Sequence, residues 1–332
     1  MIWDILLRLA INRLSVLRPH EKLQLEEIVD TEAFFRALTP GLLTQITGRR
    51  IQRMDAPGDD LLRLAERDLR YVQSRKCVVM CVRDRSYPAA LREIFDPPYL
   101  LYLRGTAPSA TTPSVAVVGT RAPSVPAVIA ARELGAGLAA AGLPVISGLA
   151  RGIDIAAHEG ALRSGVTGAI LASGIDMVTP SSHRAQAMQI LERGGFLASE
   201  YAPGTAPRKY HFPARNRIIS GLSRGVVVVQ APARSGALIT ADYALDQGRD
   251  LFVHRAGLGV SAGAGGEELA ADGAYVIGGA DDVLDDWGIA RAAQATSSTV
   301  SPEHPSQAAS GEDAAALRIA AMRRTIAGEV SS

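Results

Sequence analysis

From Val115 onward, short continuous apolar runs alternate with stretches of helical spacing. The runs AVVG (116–119), PVIS (144–147), GAILA (168–172), FLAS (196–199), GVVVVQ (225–230), DLFVH (250–254) and YVIG (275–278) read as strands. Helices are expected at Val125–Ala141, Ile153–Ser164, His183–Arg193, Asn216–Leu222, Gly236–Gln247 and Glu267–Asp272. Strands that are apolar throughout, rather than alternating, are buried on both faces. Strung between helices, they predict an α/β fold with a mostly parallel sheet covered by helices on both sides.

Upstream the periodicity differs. Apolar residues recur three and four apart in ILLRLAINRL and LLRLAERDL, so residues 1–70 are expected to form a small helical domain, interrupted at Thr39-Pro40-Gly41. A strand over Lys76–Val82, a short helix over Tyr87–Phe95 and a strand YLLYLRG (99–105) then open the sheet domain, expected over 71–288. Past Trp287 the composition collapses into Ala, Ser, Thr, Pro and Glu. Residues 289–332 are expected to hold a disordered linker and one short helix over Ala314–Ala327.

Composition narrows the chemistry. The 332 residues carry 21% charged side chains and a net charge of +1, so any anion site must be local. Between Glu200 and Asp242 there is no carboxylate, while Arg208, Lys209, Arg215, Arg217, Arg224 and Arg234 all fall there. A segment cleared of acids in a neutral protein points to an anionic ligand. Cys77 and Cys81 lie in the apolar run CVVMCV and are expected in the core, with no disulfide, which suits a reducing cytoplasm. No uncharged apolar run is long enough to span a membrane.

In a parallel sheet, ligands bind beyond the carboxyl ends of the strands, and four turns there are suggestive. Gly119-Thr120-Arg121 leaves a strand, with Ser124 placed to cap the next helix. Ser147-Gly148 opens the second turn, which runs to Asp154. Gly204–Arg217 reads as a Pro-flanked loop in which Lys209, Arg215 and Arg217 can reach phosphates, Asn216 supplies an amide and Phe212 can stack on a base. The fourth is Ser235-Gly236, with Thr240 one helical turn on. There is no P-loop, no H-E-x-x-H and no nucleophile elbow, and no metal site or cofactor is expected. The site reads as built to hold rather than to transform. A nucleotide- or phosphoribosyl-handling enzyme on a related scaffold is the alternative, with Asp154 or Glu200 as base. A third possibility is an interaction scaffold whose pocket is vestigial.

The segments VVGTRAPS, VISGLARGIDIAAHEGAL, GAILASGIDMVTP, SEYAPGTAPRKYHFPARNRIISGLS and VVVVQAPARSGALITADYALDQGRDLF, in this order and spacing, closely resemble the DNA-processing protein A (DprA/Smf) family. The resemblance covers roughly residues 75–285. It implies an extended Rossmann-like domain, preceded by a SAM-like helical domain, that binds single-stranded DNA, forms homodimers and helps load the RecA recombinase during natural transformation, without catalysis. It further implies that Arg121, Lys209, Phe212, Arg215 and Arg217 belong to the DNA pocket. The chain departs from the family at Gln230, where Glu is usual, at the turn His254-Arg255-Ala256-Gly257, and at Thr179 and His183. The residues after the linker are too few for the winged helix that ends many members.

Overall fold

A computed structural model describes residues 2–106 and 111–290. The expected linker and helix beyond residue 290 lie outside the described residues.

Five helices come first: α1 (Ile2–Asn12), α2 (Pro19–Ile28), α3 (Glu32–Arg36), α4 (Pro40–Thr47) and α5 (Gly58–Ser74). The Thr39-Pro40-Gly41 interruption is a helix start: the Thr39 hydroxyl accepts from Leu42 N, and Pro40 occupies the first turn, where its missing N–H costs nothing. Leu9, Ile11, Leu25, Phe35, Leu43 and Leu61 are fully or almost fully buried in a core that runs on into the sheet. Polar ties reinforce the joint. Arg13 donates to Asp68 and to the Pro203 carbonyl, and Asn12 donates to Glu200 O at 3.3 Å.

The sheet has nine strands: β1 (Val78–Cys81), β2 (Leu100–Gly105), β3 (Val115–Val118), β4 (Val145–Ser147), β5 (Thr167–Ile170), β6 (Phe196–Ser199), β7 (Gly225–Val228), β8 (Asp250–His254) and β9 (Tyr275–Ile277). Their order is β1-β2-β6-β5-β4-β3-β7-β8-β9. Strands β6 to β9 in that order run parallel; β1 and β2 add an antiparallel edge. The remaining helices are α6 (Ala89–Arg92), α7 (Val125–Ala140), α8 (Ile153–Ser164), α9 (Arg184–Glu192), α10 (His211–Gly221), α11 (Gly236–Asp246), α12 (Ala264–Ala271) and α13 (Ala280–Trp287).

Alternate residues of the central strands serve two cores. Val115, Val117, Val227 and Val229 pack with α7, α8 and α13; Ala116, Val118, Val226 and Val228 pack with α10 and α11. Burial on both faces is the physical reason these runs are apolar throughout. Both cysteines are buried and free, and burial pushes the Cys81 thiol up to about 11.

One sequence expectation is corrected. The loop expected over Gly204–Arg217 ends at Tyr210, because α10 begins at His211 rather than Asn216. Pro213, which read as a loop marker, sits in the first helical turn, where proline is tolerated. Helix α13 is an additional element; its acidic sequence ADDVLDDW buries Val283, Leu284 and Trp287 on one side.

Candidate nucleic-acid interface

The chain lays down β3, β4, β5 and β6 outward in one direction, then returns to place β7 on the other side of β3. Helices on the two sides of this reversal diverge and leave a crevice at the carboxyl ends of β3 and β7. A cavity of about 560 Å³ lies there, walled by Gly119, Thr120 and Arg121 after β3, Lys209 before α10, Phe212, Arg215 and Asn216 on α10, and Ser235, Gly236 and Thr240 at the start of α11.

Nine of the thirteen residues singled out in the sequence therefore line one cavity. Four do not, each for a definite reason. Ser124 caps α7, accepting from Ala127 N at 3.4 Å. Ser147 is buried and donates to Val117 O at 2.6 Å. Gly148 lies directly beneath the Arg215 guanidinium, so close that any Cβ would overlap it. Arg217 faces away from the cavity. Its guanidinium meets both Glu200 carboxylate oxygens at 2.8 Å and donates to Asp96 O at 2.9 Å. Its assignment as a phosphate contact is corrected to an internal ion pair.

Arg215 forms part of the floor. It is only 4% exposed, donates through Nη1 to Ile170 O, and its Nε has no hydrogen-bond partner among the described residues. Burial lowers its pKa to about 10; Asp154 opposes the shift and Arg121 adds to it. The group stays charged at neutral pH, and a cation at the cavity floor is suited to an anion. Asp154 does not neutralise it by direct contact: its Oδ2 accepts from Gly148 N at 3.1 Å and Ala150 N at 3.3 Å. Those two bonds, with His183 Nδ1 donating to Leu149 O at 2.9 Å, hold Leu149 in the left-handed region at φ 56°. Of the two candidate bases, Glu200 is thus committed to Arg217 outside the cavity, and Asp154 braces a turn in its wall.

Arg121 and Lys209 are exposed at the cavity mouth. The Arg121 guanidinium stands 5.2 Å from the Phe212 ring centroid, so a half-buried aromatic and a cation form one platform. Opposite, the Ser235 hydroxyl caps α11 by accepting from Ala237 N at 3.1 Å. A Cβ added at Gly236 would meet open space, so that helix start is accessible to a ligand. Asn216 Nδ2 donates to Gly236 O at 3.0 Å and locks α10 to α11.

Gln230, noted in the sequence only as a departure, holds the Arg121 turn at both ends. Its carbonyl accepts from Thr120 N at 2.8 Å and its Oε1 from Ser124 N at 2.9 Å. Gln230→Leu removes the buried acceptor for Ser124 N, at a cost of about 1–3 kcal/mol in unfolding free energy measured by urea denaturation. Nothing in the sequence around Gln230 flags this role, because its partners lie about a hundred residues upstream.

Among the described residues, no group of three or more His, Cys, Asp or Glu side chains is placed to hold a metal ion, and no helix is long and apolar enough to cross a membrane.

A mostly parallel sheet covered by helices, with a cationic, aromatic-lined cavity at its strand-order reversal, places the chain in the class of Rossmann-like α/β folds. Within it, residues 78–288 match the DNA recombination-mediator protein A family, and the chain belongs to that family. DNA processing protein DprA of Streptococcus pneumoniae is 40% identical over 204 residues, which is 61% of this chain and 72% of that protein. The solved structure of the Streptococcus pneumoniae protein superposes with a TM-score of 0.65 at 34% identity, covering 83% of this chain and 95% of that one. DNA processing protein A of Helicobacter pylori, solved for its single-stranded DNA binding mode, gives a TM-score of 0.57 at 29% identity over 64% of this chain and 95% of that one.

Proposed function

We propose that this protein binds single-stranded DNA in the cavity between β3, α10 and α11, and that it acts without catalysis as a recombination mediator. The observation that carries the reading is the convergence of Arg121, Lys209 and Arg215 with Phe212 and the α11 start in one cavity. Cations at the mouth and floor suit phosphates, and the Arg121–Phe212 platform suits a base of any identity, since every base has a flat π-face. The single-stranded DNA binding named for the Helicobacter pylori relative supports the same ligand here. Homodimerisation and loading of the RecA recombinase on the bound strand complete the proposal, on the strength of family membership.

The test is a fluorescence-anisotropy titration with oligothymidylate and with a duplex of equal length at two salt concentrations. Single strands are expected to bind more tightly, with affinity falling as salt rises by about 0.7 in the log–log slope per phosphate contacted. Equal affinity for duplex and single strand, or no binding to either, overturns the proposal.

A further inference from the structure

One exposed aromatic next to the cavity is unused by this reading. Tyr210 is 59% exposed, yet its ring is not free to swing. The His211 ring meets it edge-on at 4.6 Å between centroids, and His211 is itself buried and stacked on Tyr201 at 4.0 Å. At the other end, Arg208 Nη1 donates to the Tyr210 hydroxyl at 2.8 Å, with its guanidinium 6.0 Å from the ring centroid. An exposed ring fixed both by a buried neighbour and through its hydroxyl is a preorganised flat surface, and little rotamer freedom remains to be lost when something stacks on it.

The surroundings say what would stack. Lys209, on the cavity wall, stands in the chain between Arg208 and Tyr210, and Phe212 follows two residues later. Two arginine–aromatic pairs, Arg121 with Phe212 and Arg208 with Tyr210, thus draw their rings from the three residues that follow one lysine in the chain. We propose that Tyr210 and Arg208 form a second nucleotide subsite just outside the cavity. A base there stacks on Tyr210 while the nucleotide next to it occupies the Phe212 platform, with the joining phosphate beside Lys209. Recognition is of the aromatic base and backbone charge of an unpaired strand, with no base preference. The subsite rests on the single-stranded DNA reading above.

Anisotropy titrations of the full chain with oligothymidylate and with a fully abasic deoxyribose-phosphate strand of equal length test it. Tyr210→Ala is expected to weaken oligothymidylate binding roughly five- to a hundredfold, the range for losing one base–aromatic stack. It leaves abasic-strand binding and the salt slope unchanged. Tyr210→Phe keeps the ring and loses only the Arg208 hydrogen bond, so it binds oligothymidylate far more tightly than Tyr210→Ala. Arg208→Ala weakens both strands and lowers the salt slope by about 0.7. If Phe212→Ala and Lys209→Ala weaken oligothymidylate binding while Tyr210→Ala does not, the subsite is refuted and the DNA-binding reading stands. If Tyr210→Ala weakens both strands equally, the residue acts on the fold or the backbone and the stacking assignment is refuted. Wild-type protein that binds neither strand removes the parent reading and the subsite together.

Discussion

In urea denaturation at neutral pH, Arg217→Met is expected to lose about 3–5 kcal/mol of unfolding free energy, the cost of stranding a buried charge by removing its partner. The stranded group is Glu200. Burial pushes its carboxyl up, but the attraction and hydrogen bonds of Arg217, backed by Lys22 and His211, outweigh burial and hold it below its ordinary value of 4.5. A carboxyl depressed by folding contributes stability that is fully present above its unfolded pKa and lost as pH falls through the folded one. The gap between wild type and Arg217→Met should therefore be widest at neutral pH, begin to narrow above 4.5, where the unpaired buried Glu200 of the variant takes up its proton, and go on narrowing as pH falls through the depressed pKa of the wild-type carboxyl. DNA affinity of the folded variant should be unchanged. A variant that keeps its stability but loses DNA binding would falsify the assignment of Arg217 to an internal ion pair.

The opposite phenotype is expected at the cavity mouth. The double variant Arg121→Ala/Lys209→Ala removes two exposed cations that make no ion pair within 4.0 Å among the described contacts, so stability should change little. Oligothymidylate affinity, by contrast, should fall roughly a hundredfold or more, because each charge-assisted hydrogen bond is worth about 1.5–3 kcal/mol. Two lost phosphate contacts also flatten the log–log salt dependence by about 1.4. Anisotropy at three salt concentrations reads both effects. An unaltered slope with lowered affinity would mean that these side chains act on shape rather than charge; unaltered affinity would mean that the strand lies elsewhere.

The elements that could be read directly from the chain are those whose signal is local. FLAS (196–199) and DLFVH (250–254) are strands with the expected bounds, and Ile153–Ser164 is a helix with the expected bounds. An apolar run between turn residues needs no distant partner to declare itself. The α10 start is not legible in the sequence, because Pro213 marks a loop and a first helical turn equally well. That ambiguity carries into the site. Arg215 and Arg217, two residues apart in an extended loop, would point the same way; on a helix they diverge by about 200°. One reaches the cavity floor and the other reaches Glu200. Tyr210 and Gln230 are equally silent in the sequence, since a tyrosine's fixed orientation and a glutamine's distant donors leave no trace in neighbouring residues.

The amino-acid order alone determined the layered α/β build, the cleared stretch of positive charge and the turns able to face an anion, because apolar period and charge balance are properties of consecutive residues. Only the folded chain decided that segments near 120, 210 and 236 share one cavity, through the strand order that sets β7 beside β3. It also decided which arginine is buried against a carboxylate and which against a backbone carbonyl. Those outcomes depend on helix phase and on contacts between residues far apart in sequence, and no local pattern encodes either.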